Sequence, residues 1–80
     1  MTAELLMDVV KQIIADQLHI SESDISEDAA IMDELGASSL DVVEMLMSLE
    51  EATGVTVPDE DIEQLKTPAD AVHYLESTGL

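Results

Sequence analysis

Cysteine is absent from this 80-residue chain, which excludes a disulfide framework and a thiolate metal site, so any thiol chemistry has to arrive with a cofactor. Basic side chains are nearly absent as well. Lys11 and Lys66 face nineteen Asp and Glu, a formal net charge of −17. A field of that sign repels nucleic-acid phosphates and anionic lipid, and it steers basic protein surfaces toward the chain. The N-terminus has no basic region followed by an apolar run, and no apolar stretch approaches a membrane-spanning length. Neither secretion nor membrane insertion is therefore expected, and the cytoplasm is the expected compartment. Residues 1–80 should form one domain, whose core can supply only about 3–5 kcal/mol of net stability and leaves little chain for an internal catalytic cleft. Acidic chains can be disordered, but here 46% of the residues are hydrophobic and they fall in helical registers, so a folded domain is expected.

The first register opens at Thr2, a candidate N-cap, and sets Leu5, Leu6, Val9, Val10, Ile13 and Ile14 at three- and four-residue spacing. These six predict one broad buried face, with Glu4, Asp8, Lys11, Gln12 and Asp16 on the other side of a helix ending near Leu18 or His19. From Ser21 to Asp28 the pattern breaks into Ser, Asp and Glu, while Ile20, Ile25 and Ile31 recur as aliphatic anchors of a long loop. Farther on, Pro58 is expected to open one short helix within residues 58–65. Thr67-Pro68-Ala69-Asp70 supplies an N-cap, a first-turn proline and an acid three residues after the cap, with Ala71, Val72 and Leu75 facing inward. Three longer helices, one short helix and a long first loop predict an all-α four-helix bundle.

Between the loop and the short helix lies Glu34-Leu35-Gly36-Ala37-Ser38-Ser39-Leu40-Asp41, a glycine turn that presents serines at the start of a helix. That helix runs about four turns to Gly54, a residue suited to the left-handed position past a helix end. At about 100° per residue, Val42, Met45, Leu46 and Leu49 share a core-facing arc, whereas Leu40, Val43 and Met47 lie on a separate one. Glu44, Glu50 and Glu51 flank the second arc, which reads as an exposed apolar strip with an acidic border. A small bundle could instead bury the helix on nearly all sides, but interiors rarely accept so many carboxylates alongside, and the partner surface is favoured.

Other chemistries fit poorly. A calcium loop starting at Asp24 would put Ala29 where glycine is needed and Leu35 where the bidentate Glu belongs; one starting at Asp59 would use Gln64 and Asp70 there. Gly36-Ala37-Ser38-Ser39-Leu40 lacks the second glycine of a hydrolase nucleophile elbow. His19 and His73 read as helix-end or surface residues and not as a metal pair. The five methionines read as core filler, except for Met47, which is placed on the surface. No catalytic residue and no metal ligand is assigned.

The amphipathic first helix, the long loop, the Leu35-Gly36-x-x-Ser39-Leu40-Asp41 core, the Val57-Pro58-Asp59-Glu60 stretch and the Thr67-initiated last helix cover nearly the whole chain. Together they resemble the acyl carrier proteins. The resemblance implies a non-enzymatic carrier to which a phosphopantetheinyl transferase, using coenzyme A and magnesium, joins 4'-phosphopantetheine at Ser39 as a phosphodiester. The arm's thiol would then carry acyl intermediates as thioesters in fatty acid, specialised lipid or polyketide biosynthesis. It further implies a monomer whose acidic second helix docks the basic patches of successive acyl-transfer and synthase enzymes, and whose interior can shelter the acyl chain. Leu40, Asp41, Val43, Glu44, Met47, Glu50 and Glu51 match the family's docking face.

The family usually has Asp immediately before the modified serine, and this chain has Ser38. Serine caps a helix about as well as aspartate, so the fold should be unaffected, while a negative charge beside the attachment point is lost. That loss bears on which transferase modifies the chain and points to a specialised carrier. An aminoacyl, peptidyl or D-alanyl carrier would use the same arm. From another class, an unmodified acidic helical module would use Ser38-Ser39 for capping alone and bind proteins through its second helix.

Overall fold

The structure, a computed structural model, describes residues 2–80. It contains three α-helices, α1 (Ala3–Leu18), α2 (Ser39–Thr53) and α3 (Pro68–Ser77), with a 3₁₀ helix at Asp59–Gln64 between the last two. A further 3₁₀ turn at Glu22–Asp24 lies inside the long first loop, and there is no strand among the described residues. This is the all-α bundle the periodicities predict.

Each long helix starts on a hydroxyl. Thr2 accepts the Leu5 N–H at the head of α1, satisfying one of the first-turn donors that have no partner within the helix. At α3 the exchange is reciprocal: the Thr67 hydroxyl accepts the Asp70 N–H and the Asp70 carboxylate accepts the Thr67 N–H, with Pro68 in the first turn. Helix α1 closes on His19 in the left-handed conformation and α2 closes on Gly54 at φ +75°, whose N–H reaches the Glu50 carbonyl at 2.8 Å.

Both α2 and α3 pack against α1, and the core gathers around Leu6, Val10 and Ile14 of α1, Met45 and Leu49 of α2, and Ala71, Val72 and Leu75 of α3. The sequence assigned α1 too broad a buried face. Leu6 is fully buried, but Leu5 is 54% exposed, and Val9 and Ile13 are half-buried at the margin. Helical geometry gives the reason: Leu5 lies about 140° around the helix from Val10, beyond the arc that two neighbouring helices cover.

The loop anchors behave as expected, with Ile25 and Ile31 buried and Ile20 packed against the core. Two main-chain bonds fix the loop to the approach and first turn of α3, the Ile31 N–H to the Lys66 carbonyl at 2.9 Å and the Ala69 N–H to the Glu27 carbonyl at 3.0 Å. The short fourth helix differs in detail from its expectation. It is 3₁₀, and Pro58 precedes it as an extended N-cap instead of occupying its first turn. No residue within it is buried and no side chain caps it. It is tied down by the Tyr74 hydroxyl donating to Asp61 at 2.7 Å. Met32 is a further correction, being half exposed where core filling was expected; it lies with exposed Asp33 and Glu34 in the turn between buried Ile31 and half-buried Leu35.

The molecule measures 29 × 26 × 20 Å, less than the Debye length of about 30 Å at 0.01 M salt and far more than the length of about 8 Å at 0.15 M. At low salt every carboxylate therefore repels every other. The melting temperature should rise between those salt concentrations, and rise further with millimolar divalent cations. A melting temperature flat across that range would contradict this.

Candidate functional site

Gly36 adopts φ +79° with open space around the position a Cβ would take. The constraint there is the backbone, which only glycine meets without strain. Its neighbour Ala37 is buried, and the Ala37 N–H bonds the Ile31 carbonyl at 3.1 Å. The chain is thus clamped immediately before the serines. Ser38 then takes an extended conformation as the N-cap of α2, and Ser39 is the first helical residue.

The two serines have different tasks. The Ser38 hydroxyl accepts the Asp41 N–H at 3.1 Å, and the Asp41 carboxylate accepts the Ser38 N–H at 3.0 Å, closing a capping box. The second carboxylate oxygen of Asp41 accepts from the Gln17 side-chain amide of α1 at 3.1 Å. Ser39 takes part in neither arm of the box, and its side chain is exposed. An accessible hydroxyl therefore stands at a helix N-terminus, where backbone amides and the helix dipole favour a bound anion such as a phosphodiester. The residues present fit a phosphate-linked prosthetic group on that hydroxyl.

The family resemblance implies a docking role for Asp41; in the structure it is half-buried and holds the head of α2. Gln17 carried no signal in the sequence, because its partner lies 24 positions away. The Ser38 N–H first, and then the Gln17 amide, hold the Asp41 carboxyl below its ordinary value of 3.8, against a smaller opposing effect of partial burial. A depressed carboxyl stabilises the fold above its unfolded value, and the contribution is lost as the pH falls through the lower folded value. In a carbon-detected NMR titration Asp41 should titrate below 3.8, and Gln17→Ala should move its midpoint upward. A midpoint at or above the ordinary value in the parent would contradict the assignment.

Of the other candidate residues, Leu40, Val43 and Met47 are exposed, and Glu44 and Glu51 are exposed beside them. Met45 and Leu49 are buried on the opposite arc, with Val42 packed against the core. Glu50 is half-buried, and one of its carboxylate oxygens accepts the Val57 N–H at 2.7 Å. It braces the segment after α2. Inside the bundle an apolar cavity of about 40 Å³ lies among Val10, Ile14, Ile31, Met45, Leu49 and Ala71. On this measure a single water needs about 10–15 Å³, so the space corresponds to about three waters. No helix among the described residues is long and apolar enough to cross a membrane.

Comparison with known proteins bears on this geometry. The family described as "Phosphopantetheine attachment site" matches residues 8–75, a span that contains the clamp, both serines and the whole of α2. The acyl carrier proteins of Clostridium perfringens strains SM101 and 13 are each 46% identical to this chain over 70 residues, covering 88% of it and 92% of their own length. Identity over 70 residues extends well beyond a shared serine motif. The chain belongs to the acyl carrier protein family, as a non-enzymatic carrier of acyl groups on a covalent phosphopantetheine arm.

Proposed function

We propose that residues 1–80 form a single carrier domain whose arm is attached to the Ser39 hydroxyl and whose successive enzymes dock on the exposed strip of α2. The observation that carries the reading is the division of labour between the serines: Ser38 and Asp41 complete the cap by themselves, leaving the Ser39 oxygen accessible for modification. When bound, the arm supplies the thiol that the polypeptide lacks, on which acyl groups travel as thioesters. Ser39 anchors it, the Gly36–Ala37 clamp fixes where it leaves the surface, and the first turn of α2 stabilises the phosphodiester charge.

The partners are a phosphopantetheinyl transferase and the acyl-transfer and synthase enzymes of fatty acid, specialised lipid or polyketide biosynthesis, in the cytoplasm. Their docking sites carry Lys and Arg opposite Glu44, Glu50 and Glu51, and apolar pockets opposite Leu40, Val43 and Met47. Charge of this kind governs the rate of encounter, and the apolar strip governs residence. The interior cavity is too small for an acyl chain, so sheltering cargo requires the helices to part.

Glu44→Lys and Val43→Lys should keep parental helical content and cooperative melting, because both side chains lie off the core arc, while slowing arm transfer and acyl transfer. The test is circular dichroism together with rates followed by intact mass. Unfolding of Val43→Lys would assign that residue to the core, and unchanged rates in both variants would remove the strip from docking.

A further inference from the structure

With no cysteine and no tryptophan in the chain, thioether sulfur is its most readily oxidised side-chain atom, and the reactivity of thioethers follows their exposure. The described methionines separate on that measure. Met47 is 61% exposed and Met32 is 50% exposed, whereas Met45 is 6% exposed within the core and Met7 packs half-buried against it. Met45 and Met47 are two positions apart on α2 and so point about 200° apart around it. One helix thus carries a protected thioether on its core arc and an accessible one in the apolar strip between Leu40 and Glu51.

We propose that Met47 is a redox modification site, at which a peroxide-class oxidant converts the thioether to the sulfoxide and weakens docking through α2 without unfolding the domain. The inference rests on the docking role proposed above. A sulfur lone pair attacks one peroxide oxygen; the S–O bond forms as the O–O bond breaks, and sulfur gives up two electrons. The departing hydroxide takes the proton from the sulfur-bound oxygen and leaves as water. The product places an S=O dipole at the C-terminal end of a strip whose apolar surface has to be buried against a partner, and burying such a group without a donor opposes association. No core contact is lost, because the side chain faces solvent. Sulfoxide reductases reverse the change with two electrons from a dithiol, which becomes a disulfide as the oxygen leaves as water. Met32 shares the exposure but not the strip, since it lines a groove with Ile31, Ile62 and Lys66, and it serves as the internal control.

The experiment treats the chain, before arm attachment, with graded hydrogen peroxide quenched by catalase. Peptide mapping then locates the sulfoxides, with Met1 on its own peptide, and the rate of arm transfer from coenzyme A by a phosphopantetheinyl transferase is measured by intact mass. Sulfoxide should appear at Met47 and Met32 before Met7 and Met45, with helical content and melting temperature unchanged at that stage. The transfer rate should fall about three- to tenfold in step with Met47 sulfoxide, and reductase treatment should restore it. Met47→Leu should show the same rate before and after peroxide, whereas Met32→Leu should lose rate as the parent does. An unchanged rate at full Met47 oxidation, a loss that persists in Met47→Leu, or reaction of Met45 as fast as Met47 overturns the inference alone. A parent chain that accepts no arm even before oxidation overturns the proposed function and this inference with it.

Discussion

Leu75→Ala is expected to melt at least about 8 °C below the parent, because removing a buried leucine costs about 2–5 kcal/mol and each kcal/mol shifts a domain of this size by about 4–8 °C. Leu75 is completely buried in the packing of α3 against α1, and a chain of this length has only about 3–5 kcal/mol of net stability to lose. A measurable fraction of the variant should therefore be unfolded at room temperature. Leu5→Ala provides the contrast. The same truncation at a side chain more than half exposed should stay within about 0.5 kcal/mol of the parent. Thermal melts by circular dichroism distinguish the two. A Leu75→Ala melting temperature within about 2 °C of the parent would show that the core is not organised around that residue.

The same pair of leucines shows how far the sequence could be read. Periodicity identified α1 and its central stripe of Leu6, Val10 and Ile14, because those positions must face inward in any packing of an amphipathic helix. It could not say how wide the covered arc would be. That depends on where α2 and α3 land, and Leu5 and Leu6 look equally apolar on paper. On α2 the pattern was more informative, since two apolar arcs separated by carboxylates could be told apart before any neighbour was known, and the exposure of Leu40, Val43 and Met47 follows that division. The ends of the long helices were legible for a local reason: Thr2, Ser38, Gly54 and Thr67 act within four residues of themselves.

Features fixed by distant partners were not legible. Asp41 satisfies the same hydroxyl-x-x-acid spacing that was recognised at Thr67 and Asp70, yet its second bond, to Gln17, has no counterpart in local sequence. The tether that holds the 3₁₀ helix at Asp59–Gln64, the Tyr74 hydroxyl on Asp61, likewise comes from outside the segment, and a run of acids gives no hint of it.

The serines carry the largest functional effect. Ser39→Ala should abolish the mass increment of the arm altogether and leave the fold intact, because the cap at Ser38 and Asp41 does not involve Ser39. Ser38→Ala should do the opposite. It removes the acceptor of the Asp41 N–H and so costs about 0.5–2 kcal/mol, while leaving the hydroxyl at Ser39 available. Ser38→Asp keeps a capping oxygen and adds negative charge at a helix N-terminus, where it is favourable. If the missing acid governs transferase choice, that variant should be modified faster by a housekeeping-type transferase than the parent is. The decisive measurement is intact mass with peptide localisation on the parent, Ser39→Ala and Ser38→Ala, each incubated with coenzyme A, magnesium and a phosphopantetheinyl transferase. The increment is expected on the Ser39-containing peptide of the parent and of Ser38→Ala, and absent from Ser39→Ala. An increment retained in Ser39→Ala and lost in Ser38→Ala would contradict the assignment and move the attachment one residue back.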